Sequence, residues 1–179
     1  LYTFPAVSPF KVIVGLIALE EKVISEKSTI FCKGQYIYGR NKKSMKCHCG
    51  GGYRNIYNAI SESCNSYFAD IYRKTISKNN EISDNFNSWS ESVKSFGLGN
   101  YLGYDLPIGR PGLIPNSSFY NDLYEGENWS ATNIISNGIG QGEVLATPIQ
   151  LANYTSAIAN KGFYFTPHFV KIKDEENSY

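Results

Sequence analysis

The chain has 179 residues, of which 42% are hydrophobic and 18% are charged, so it can form one domain with a buried core. Its net charge of +1 gives no reason to expect a nucleic-acid partner. No stretch reaches the ~18 apolar residues of a membrane-spanning helix, and no signal peptide is recognisable. We therefore expect residues 1–179 to form one globular piece of a longer protein.

The first half of the chain is predicted to be mainly helical. Apolar residues recur at helical spacing over residues 9–22, where Ser8 is expected to cap the helix and Pro9 to start it. Residues 28–50 break this pattern with lysines and glycines, which predicts a basic loop or short hairpin. Further helices are predicted over about 56–61, 67–76 and 85–95.

The second half contains one strongly specified helix. Residues 97–130 are rich in Gly, Pro, Asn and Tyr, and we expect a long ordered loop there. Thr147 and Gln150 then form a capping box, which predicts a helix that ends near Gly162. The loose alternation of residues 163–173 predicts the start of a strand.

Two short motifs carry candidate chemistry. Ser8 and Lys11 are three residues apart, so they share one helix face, and a neutral environment would let Lys11 act as a base. This spacing alone is common, and a helix cap beside a solvated lysine would explain it equally well. Ser63 and Asn65 follow between two predicted helices and form a Ser-x-Asn motif that can face Ser8. Penicillin-binding proteins and serine β-lactamases combine these two motifs.

Two later blocks add a family resemblance. Glycines recur between Phe96 and Pro107, and Gly138, Gly140 and Gln141 precede the capped helix. In this order and spacing the chain resembles the transpeptidase domain of class B penicillin-binding proteins, most closely the elongation-type penicillin-binding protein 2. The resemblance implies an α/β fold of the serine β-lactamase-like type. Because the family's Lys-Thr-Gly strand is absent from the sequence, we expect a partial domain, mostly its helical part, without much of the antiparallel sheet.

The resemblance also implies an activity. It implies D,D-transpeptidation, in which peptidoglycan stem peptides are cross-linked through a serine acyl-enzyme and β-lactams act as covalent inhibitors. Ser8 would be the nucleophile and Lys11 its general base. Ser63 would pass a proton towards the leaving amine, and Asn65 would hold the amide of the donor peptide.

Other residues are assigned by the same resemblance. Gly138, Gly140 and Gln141 would join Asn65 in binding substrate. One departure precedes the nucleophile, where the family has Pro-Pro-Gly and this chain has Val7. A β-branched residue does not readily adopt positive φ, so we expect the approach to Ser8 to differ locally.

The resemblance further implies a setting for the parent protein. It would be anchored in the cell membrane, with its catalytic domain on the extracytoplasmic (periplasmic) side and a glycosyltransferase of the wall-elongation machinery as a partner. Without the Lys-Thr-Gly strand the fragment alone is expected to be inactive. Alternatives are a serine β-lactamase, which would hydrolyse its acyl-enzyme rapidly, a penicillin-sensing receptor domain, and a non-catalytic remnant stabilised by zinc.

A basic segment over residues 28–65 contains all the cysteines of the chain. They are Cys32, Cys47, Cys49 and Cys64, with fourteen, one and fourteen residues between them. Two disulfides or buried free thiols would explain them. Four converging thiolates would instead form a closed zinc site, in which His48 could replace one cysteine. Elongation-type relatives carry metal-binding residue types in this segment, and such a zinc would brace Ser63 and Asn65 from behind.

Overall fold

The computed structural model describes residues 2–106 and 109–170, which form a mixed α/β structure in which helices predominate. The helices are α1 (Lys11–Glu20), α2 (Ile56–Ser61), α3 (Asn65–Ile76), α4 (Ile82–Ser95), α5 (Ser117–Leu123) and α6 (Pro148–Ala159). The strands are β1 (Phe4–Pro5), β2 (Ile30–Cys32), β3 (Gln35–Tyr38), β4 (Lys43–Lys46), β5 (Gly52–Arg54) and β6 (Leu145–Ala146). They pair antiparallel as β1 with β6, β2 with β5 and β3 with β4. Among the described residues, no helix has the length and apolar character that crossing a membrane requires.

Helix α3 is at the centre of the core. It packs against α1, α4 and a 3-10 turn at Ile135–Ile139. Its buried stripe follows the predicted helical period and consists of Tyr67, Phe68, Ile71 and Tyr72. The Trp89 ring from α4 lies 5.1 Å from the Tyr72 ring and 5.9 Å from the Phe10 ring. This aromatic packing fixes α3 against the start of α1, and the two motifs lie at the N-terminal ends of these helices.

Most predicted helices are confirmed. The helix over 56–61 is α2, and those over 67–76 and 85–95 are α3 and α4, each starting two or three residues earlier. The capping box of α6 has both hydrogen bonds: the Thr147 amide donates to Gln150 Oε1 at 2.8 Å, and the Gln150 amide donates to Thr147 Oγ1 at 3.3 Å. The cap at Ser8 was wrong, because Ser8 opens a 3-10 turn ahead of α1 and its hydroxyl makes no cap hydrogen bond.

The long loop predicted over 97–130 contains a helix, α5. The Asn116 side chain caps it by accepting a hydrogen bond from the Phe119 amide at 3.0 Å. With seven residues, this helix spans about two turns and is too short to produce a clear periodic pattern. The sequence-based prediction failed here because a local cap and packing outweigh weak periodicity.

The strand predicted over 163–173 is not found in residues 163–170, and the rest of that range lies outside the described residues. The amides of Phe169 and Val170 donate instead to the carboxylate of Asp105, both at 2.8 Å. A strand needs a partner backbone, and here a side chain takes that place.

The predicted basic hairpin is formed by β3 and β4, with Tyr38 opposite Lys43 and Gln35 opposite Lys46. It is tied to α3 by side chains: Tyr36 Oη donates to Asp70 Oδ1 at 3.2 Å and accepts from Arg73 Nε at 2.8 Å. This attachment places the base of the hairpin beside the first turn of α3.

Candidate active site

The backbone before Ser8 is held in a conformation that favours glycine. Val7 has φ 48° and ψ −153°. Its amide donates to the Gly140 carbonyl at 2.6 Å, and its own carbonyl accepts from the Phe10 amide at 3.0 Å. Val7 does adopt positive φ here, because these two hydrogen bonds fix the turn, and such strain costs roughly 1–3 kcal/mol. The turn leaves Ser8 exposed at the surface.

Lys11 lies directly below that serine and is only 3% exposed. Its Nζ is 3.3 Å from Ser8 Oγ, 2.8 Å from Ser63 Oγ, 2.8 Å from the Ser63 carbonyl and 2.6 Å from Asn65 Oδ1. The two carbonyl-type oxygens can only accept, whereas the two hydroxyls can also donate. A neutral amine satisfies this set by donating two hydrogens to the carbonyl oxygens and turning its lone pair to a hydroxyl.

The pKa of Lys11 is lowered from its ordinary value of 10.5, because burial removes water from the ammonium. Coulombic interactions with Cys47, Cys64 and Cys49 act in the opposite direction and raise the pKa of Lys11, but burial is the larger effect. The environment therefore favours the neutral amine that a general base requires.

The Ser-x-Asn segment completes what we call the reacting cluster, namely Ser8, Lys11, Ser63 and Asn65. Ser63 Oγ donates to Ser8 Oγ at 2.9 Å, so the two hydroxyls and the amine form a connected hydrogen-bonded set. Asn65 Nδ2 donates to the Lys46 carbonyl at 2.9 Å, which turns Oδ1 of the same amide towards Lys11. All four residues predicted to be catalytic are therefore brought together.

Sequence reasoning missed two backbone features of this cluster. Ser63 has φ 52°, a left-handed conformation that points its carbonyl at Lys11. The second is the Lys46 carbonyl, which orients Asn65 from the base of the hairpin. No side-chain motif signals either feature, because both depend on where the main chain runs.

The glycines assigned to substrate binding lie in the interior. A Cβ at Gly138 would lie 2.5 Å from Cβ of Tyr72, and one at Gly140 would lie 2.2 Å from the Val7 carbonyl oxygen. Both positions are buried and permit close packing beneath the serine turn. Gln141 is exposed next to them. Of these three, only Gln141 presents a side chain at the surface.

A second group of side chains lies behind the Ser-x-Asn segment. We call it the thiol cluster, and it consists of Cys32, Cys47, Cys49 and Cys64. All four Sγ atoms lie within 4.8 Å of one another, and none of the four cysteines forms a disulfide. His48 is exposed and is not a member of this cluster. The four sulfurs come from the end of β2, the segment after β4 and the start of α3.

The thiols of the cluster differ in pKa. Burial alone would raise the pKa of Cys47, but hydrogen bonds from the Ser66 and Cys49 amides and from neighbouring thiols lower it to about 6. Burial raises the pKa of Cys49 to about 11 and also raises that of Cys64. One thiolate is therefore favoured at neutral pH, and a bound dication would favour the others.

The sequence and the fold of this chain are similar to those of known proteins. Residues 2–178 match the family model described as the penicillin binding protein transpeptidase domain. The chain is 30% identical over 171 residues to peptidoglycan D,D-transpeptidase MrdA of Haemophilus influenzae, covering 94% of this chain and 25% of that protein. It is 36% identical over 122 residues to MrdA of Acinetobacter baumannii, covering 68% of this chain and 17% of that protein.

A solved structure agrees with these matches. The complex between penicillin-binding protein 2 and MreC from Helicobacter pylori superposes with a TM-score of 0.79 at 30% identity, covering 99% of this chain and 30% of that chain. The chain thus spans about a quarter of the length of the curated relatives it matches, as expected for a partial domain. The resemblance to elongation-type penicillin-binding protein 2 is confirmed, and the chain belongs to the penicillin-binding protein transpeptidase family.

Proposed function

We propose that the protein carrying this chain is a D,D-transpeptidase that cross-links peptidoglycan stem peptides through an acyl-enzyme on Ser8. One observation carries the proposal: the buried Nζ of Lys11 lies within 3.3 Å of the Ser8 and Ser63 hydroxyls. A serine hydroxyl becomes a good nucleophile when a neutral base accepts its proton. The lowered pKa of Lys11 supplies such a base.

In the acylation step Lys11 Nζ accepts the proton of Ser8 Oγ while Oγ attacks the carbonyl carbon of the donor's D-alanyl-D-alanine amide. The resulting oxyanion would be stabilised by the Ser8 amide, which donates to no other acceptor in the part of the chain that the structure describes. Asn65 would hold the amide of the donor chain, and the exposed side chain of Gln141 would also bind substrate.

Collapse of the tetrahedral intermediate breaks the C–N bond to the terminal D-alanine. The proton held by Lys11 passes through Ser63 Oγ to the leaving amine, a route supported by distances of 2.8 Å and 2.9 Å on either side of that hydroxyl. The amine of an acceptor stem peptide then attacks the ester, and the same groups carry its proton in reverse. β-Lactams would acylate Ser8 in the same way but leave no departing group, because the opened ring stays attached.

We also propose that the thiol cluster binds a structural Zn²⁺. Zn–S bonds of about 2.3 Å place tetrahedral sulfurs about 3.8 Å apart. Four of the Sγ–Sγ distances lie between 3.1 Å, for Cys32–Cys49, and 3.5 Å, for Cys47–Cys64, so the sulfurs approach that spacing without forming a bond. Because Cys64 separates Ser63 from Asn65, the ion would hold both side chains in place and take no part in the chemistry.

The proposed setting of the protein follows from its substrate. Cross-linking of the wall occurs outside the cytoplasmic membrane, so we place this domain on the extracytoplasmic side of a membrane-anchored protein. Cross-linking also needs newly made glycan strands, so a glycosyltransferase of wall elongation is the partner we propose. The complex of the Helicobacter pylori relative with MreC supports association of this protein with partner proteins.

The test uses the full-length protein and a fluorescent penicillin. We expect the penicillin to label the parent protein covalently and not to label Ser8→Ala. Ser8→Ala should also fail to transfer the donor peptide to an acceptor amine. Ser61→Ala is the matched control, since its exposed hydroxyl on α2 donates to the Asn58 carbonyl at 3.1 Å and to no other acceptor in the described residues. Equal labelling of Ser8→Ala and the parent would contradict the proposal. Rapid loss of the label from the parent protein would favour a β-lactamase. A stable label without peptide transfer would favour a penicillin-sensing receptor.

A further inference from the structure

A cavity of about 690 Å³ lies between the tip of the β3–β4 hairpin and the loop that follows α5. Its walls are polar and include Tyr38, Arg40, Lys43, Asn128, Ser130 and Asn133. None of the lining residues is acidic. Within residues 2–106 and 109–170, neither Arg40 nor Lys43 forms an ion pair with an acidic side chain. The cavity therefore presents two cations without a countercharge.

The loop side of this cavity offers hydrogen-bond donors. Asn133 Oδ1 accepts from the Ser130 amide at 3.1 Å and from Ser130 Oγ at 2.6 Å, which leaves the Asn133 Nδ2 group free to donate. Asn128 also lines the cavity, and its side-chain amide is a further hydrogen-bond donor. Guanidinium, ammonium and amide donors together suit a ligand that carries acceptors and negative charge.

The charge of the surrounding segment points the same way. Residues 27–61 contain seven Lys and Arg residues and no Asp or Glu, although the whole chain has a net charge of only +1. A wall of one sign attracts ligands of the opposite sign and raises their local concentration. The hairpin is thus the strongly cationic part of a nearly neutral chain.

The cavity lies in line with the reacting cluster. The Lys46 carbonyl at the base of the hairpin contacts Asn65, and the Tyr38–Lys43 pair lies three steps further along the ladder from the Gln35–Lys46 pair. Three strand steps span about 10 Å. An extended peptide covers a similar length, about 10 Å, with three residues. Asn65 is the residue proposed to hold the amide of the donor chain, so a donor peptide that runs from Asn65 along the hairpin would bring roughly its third residue to the cavity.

We propose that this cavity is a subsite for a carboxylate on the donor stem peptide, about three residues from the amide that reacts with Ser8. Arg40 binds the carboxylate through its planar pair of N–H groups, and Lys43 adds a second positive charge. The amides of Asn128 and Asn133 complete the set of donors. The inference rests on the proposed transpeptidase function, because that function supplies the peptide.

The test compares two synthetic donor peptides with the full-length protein. One peptide carries a free carboxylate at the third residue from the scissile amide, and the other carries a carboxamide there. For the double variant Arg40→Gln/Lys43→Gln we expect kcat/KM for the carboxylate peptide to fall about 10- to 100-fold, the effect of losing charge-assisted hydrogen bonds. The carboxamide peptide should react at a nearly unchanged rate.

The control variant Lys33→Gln/Lys42→Gln removes the same charge from the same segment outside the cavity, and it should retain the parent's preference for the carboxylate. Labelling by penicillin, which is too short to reach the cavity, should be equal in all three proteins. If penicillin does not label the parent protein at all, the transpeptidase proposal itself is contradicted. If kcat/KM falls by the same factor for both peptides, and does so in both double variants, the subsite proposal is contradicted. Inorganic phosphate provides a second check. If it inhibits the parent but not Arg40→Gln/Lys43→Gln, and the parent does not discriminate between the two peptides, the carboxylate subsite is contradicted and the cavity binds phosphate.

Discussion

The reacting cluster and the thiol cluster meet in one tripeptide, Ser63 to Asn65, yet they have opposite designs. The reacting cluster is open to solvent at Ser8 and combines hydroxyl, amine and amide groups. The thiol cluster is closed: Cys32, Cys49 and Cys64 are at most 6% exposed, and its side chains share a single chemistry. Open sites admit a substrate, whereas closed metal sites stabilise structure.

The backbone of residues 63–65 explains how one short segment contributes to both clusters. The left-handed backbone at Ser63 sends the Ser63 and Asn65 side chains to Lys11, while Cys64 at the start of α3 points to the other sulfurs. A displacement of Cys64 must therefore move both neighbours. This coupling predicts that chemistry depends on both clusters, though directly on only one.

Loss of the base should give the largest effect. In Lys11→Met we expect the rate of acylation by penicillin to fall about 10²- to 10⁴-fold, because general-base catalysis is lost. Lys11→Arg should be equally impaired, since a guanidinium stays protonated. Lys74→Met is the control, because Lys74 lies on the surface of α3 and its only ion pair among the described residues is with Asp70. Stopped-flow labelling measures all three, and a fast Lys11→Arg would refute a neutral lysine base.

Opening the thiol cluster should act indirectly. In Cys49→Ser we expect loss of stoichiometric zinc and a decrease in unfolding free energy of about 3 kcal/mol or more. Acylation should slow because Ser63 and Asn65 lose their support. His48→Ala, with its exposed side chain between two of the cysteines, should retain both zinc and stability. Elemental analysis and thermal melts measure these effects, and anaerobically purified parent protein without zinc would contradict the metal assignment.

The pH dependence of acylation should report the burial of Lys11. Since only the neutral amine accepts the serine proton, the rate should rise with pH through the lowered pKa of Lys11 and level off at a lower pH than an ordinary lysine would give. Stability should rise with pH over the window between that lowered pKa and the unfolded value near 10.5, because the unfolded chain binds more protons there. A rate still climbing at an ordinary lysine pKa would count against a desolvated base.

The strained turn before the nucleophile predicts the smallest effect. Val7→Gly should increase the unfolding free energy by about 1 kcal/mol, because relief of strain exceeds the entropic cost of glycine. Val7 is 43% exposed, so little burial is lost. Val170→Gly is the control, since it is also exposed but has no positive φ, and it should be slightly destabilising. Denaturant melts that rank the two variants in the reverse order would refute strain at Val7.

Much of the reacting cluster was predictable because it depends on local chemistry. Ser8 and Lys11 are related by helical spacing alone, and the α6 cap was evident from Thr147 and Gln150. Long-range placement of Ser63 and Asn65 came only from the family resemblance. Periodicity cannot show that residues 52 positions apart would meet at 2.8 Å.

What the sequence did not reveal depends on the main chain. The positive φ of Val7 and Ser63 opposes their residue preferences, and tertiary hydrogen bonds, such as that from Val7 to Gly140, override those preferences. The role of the Lys46 carbonyl was likewise hidden, because every residue has a carbonyl. The strand predicted after Gly162 rested on a loose alternation, and within residues 163–170 Asp105 takes two backbone amides that a strand would use.

The most direct test of the central claim is to locate the acyl group. The full-length protein is incubated with benzylpenicillin, digested, and analysed by mass spectrometry. We predict that one peptide, the one containing Ser8, gains the mass of one intact penicillin, and that fragmentation assigns the ester to that serine. An ester on Ser63 or on any other residue, or an unmodified Ser8 peptide under conditions that inactivate the protein, would contradict the account.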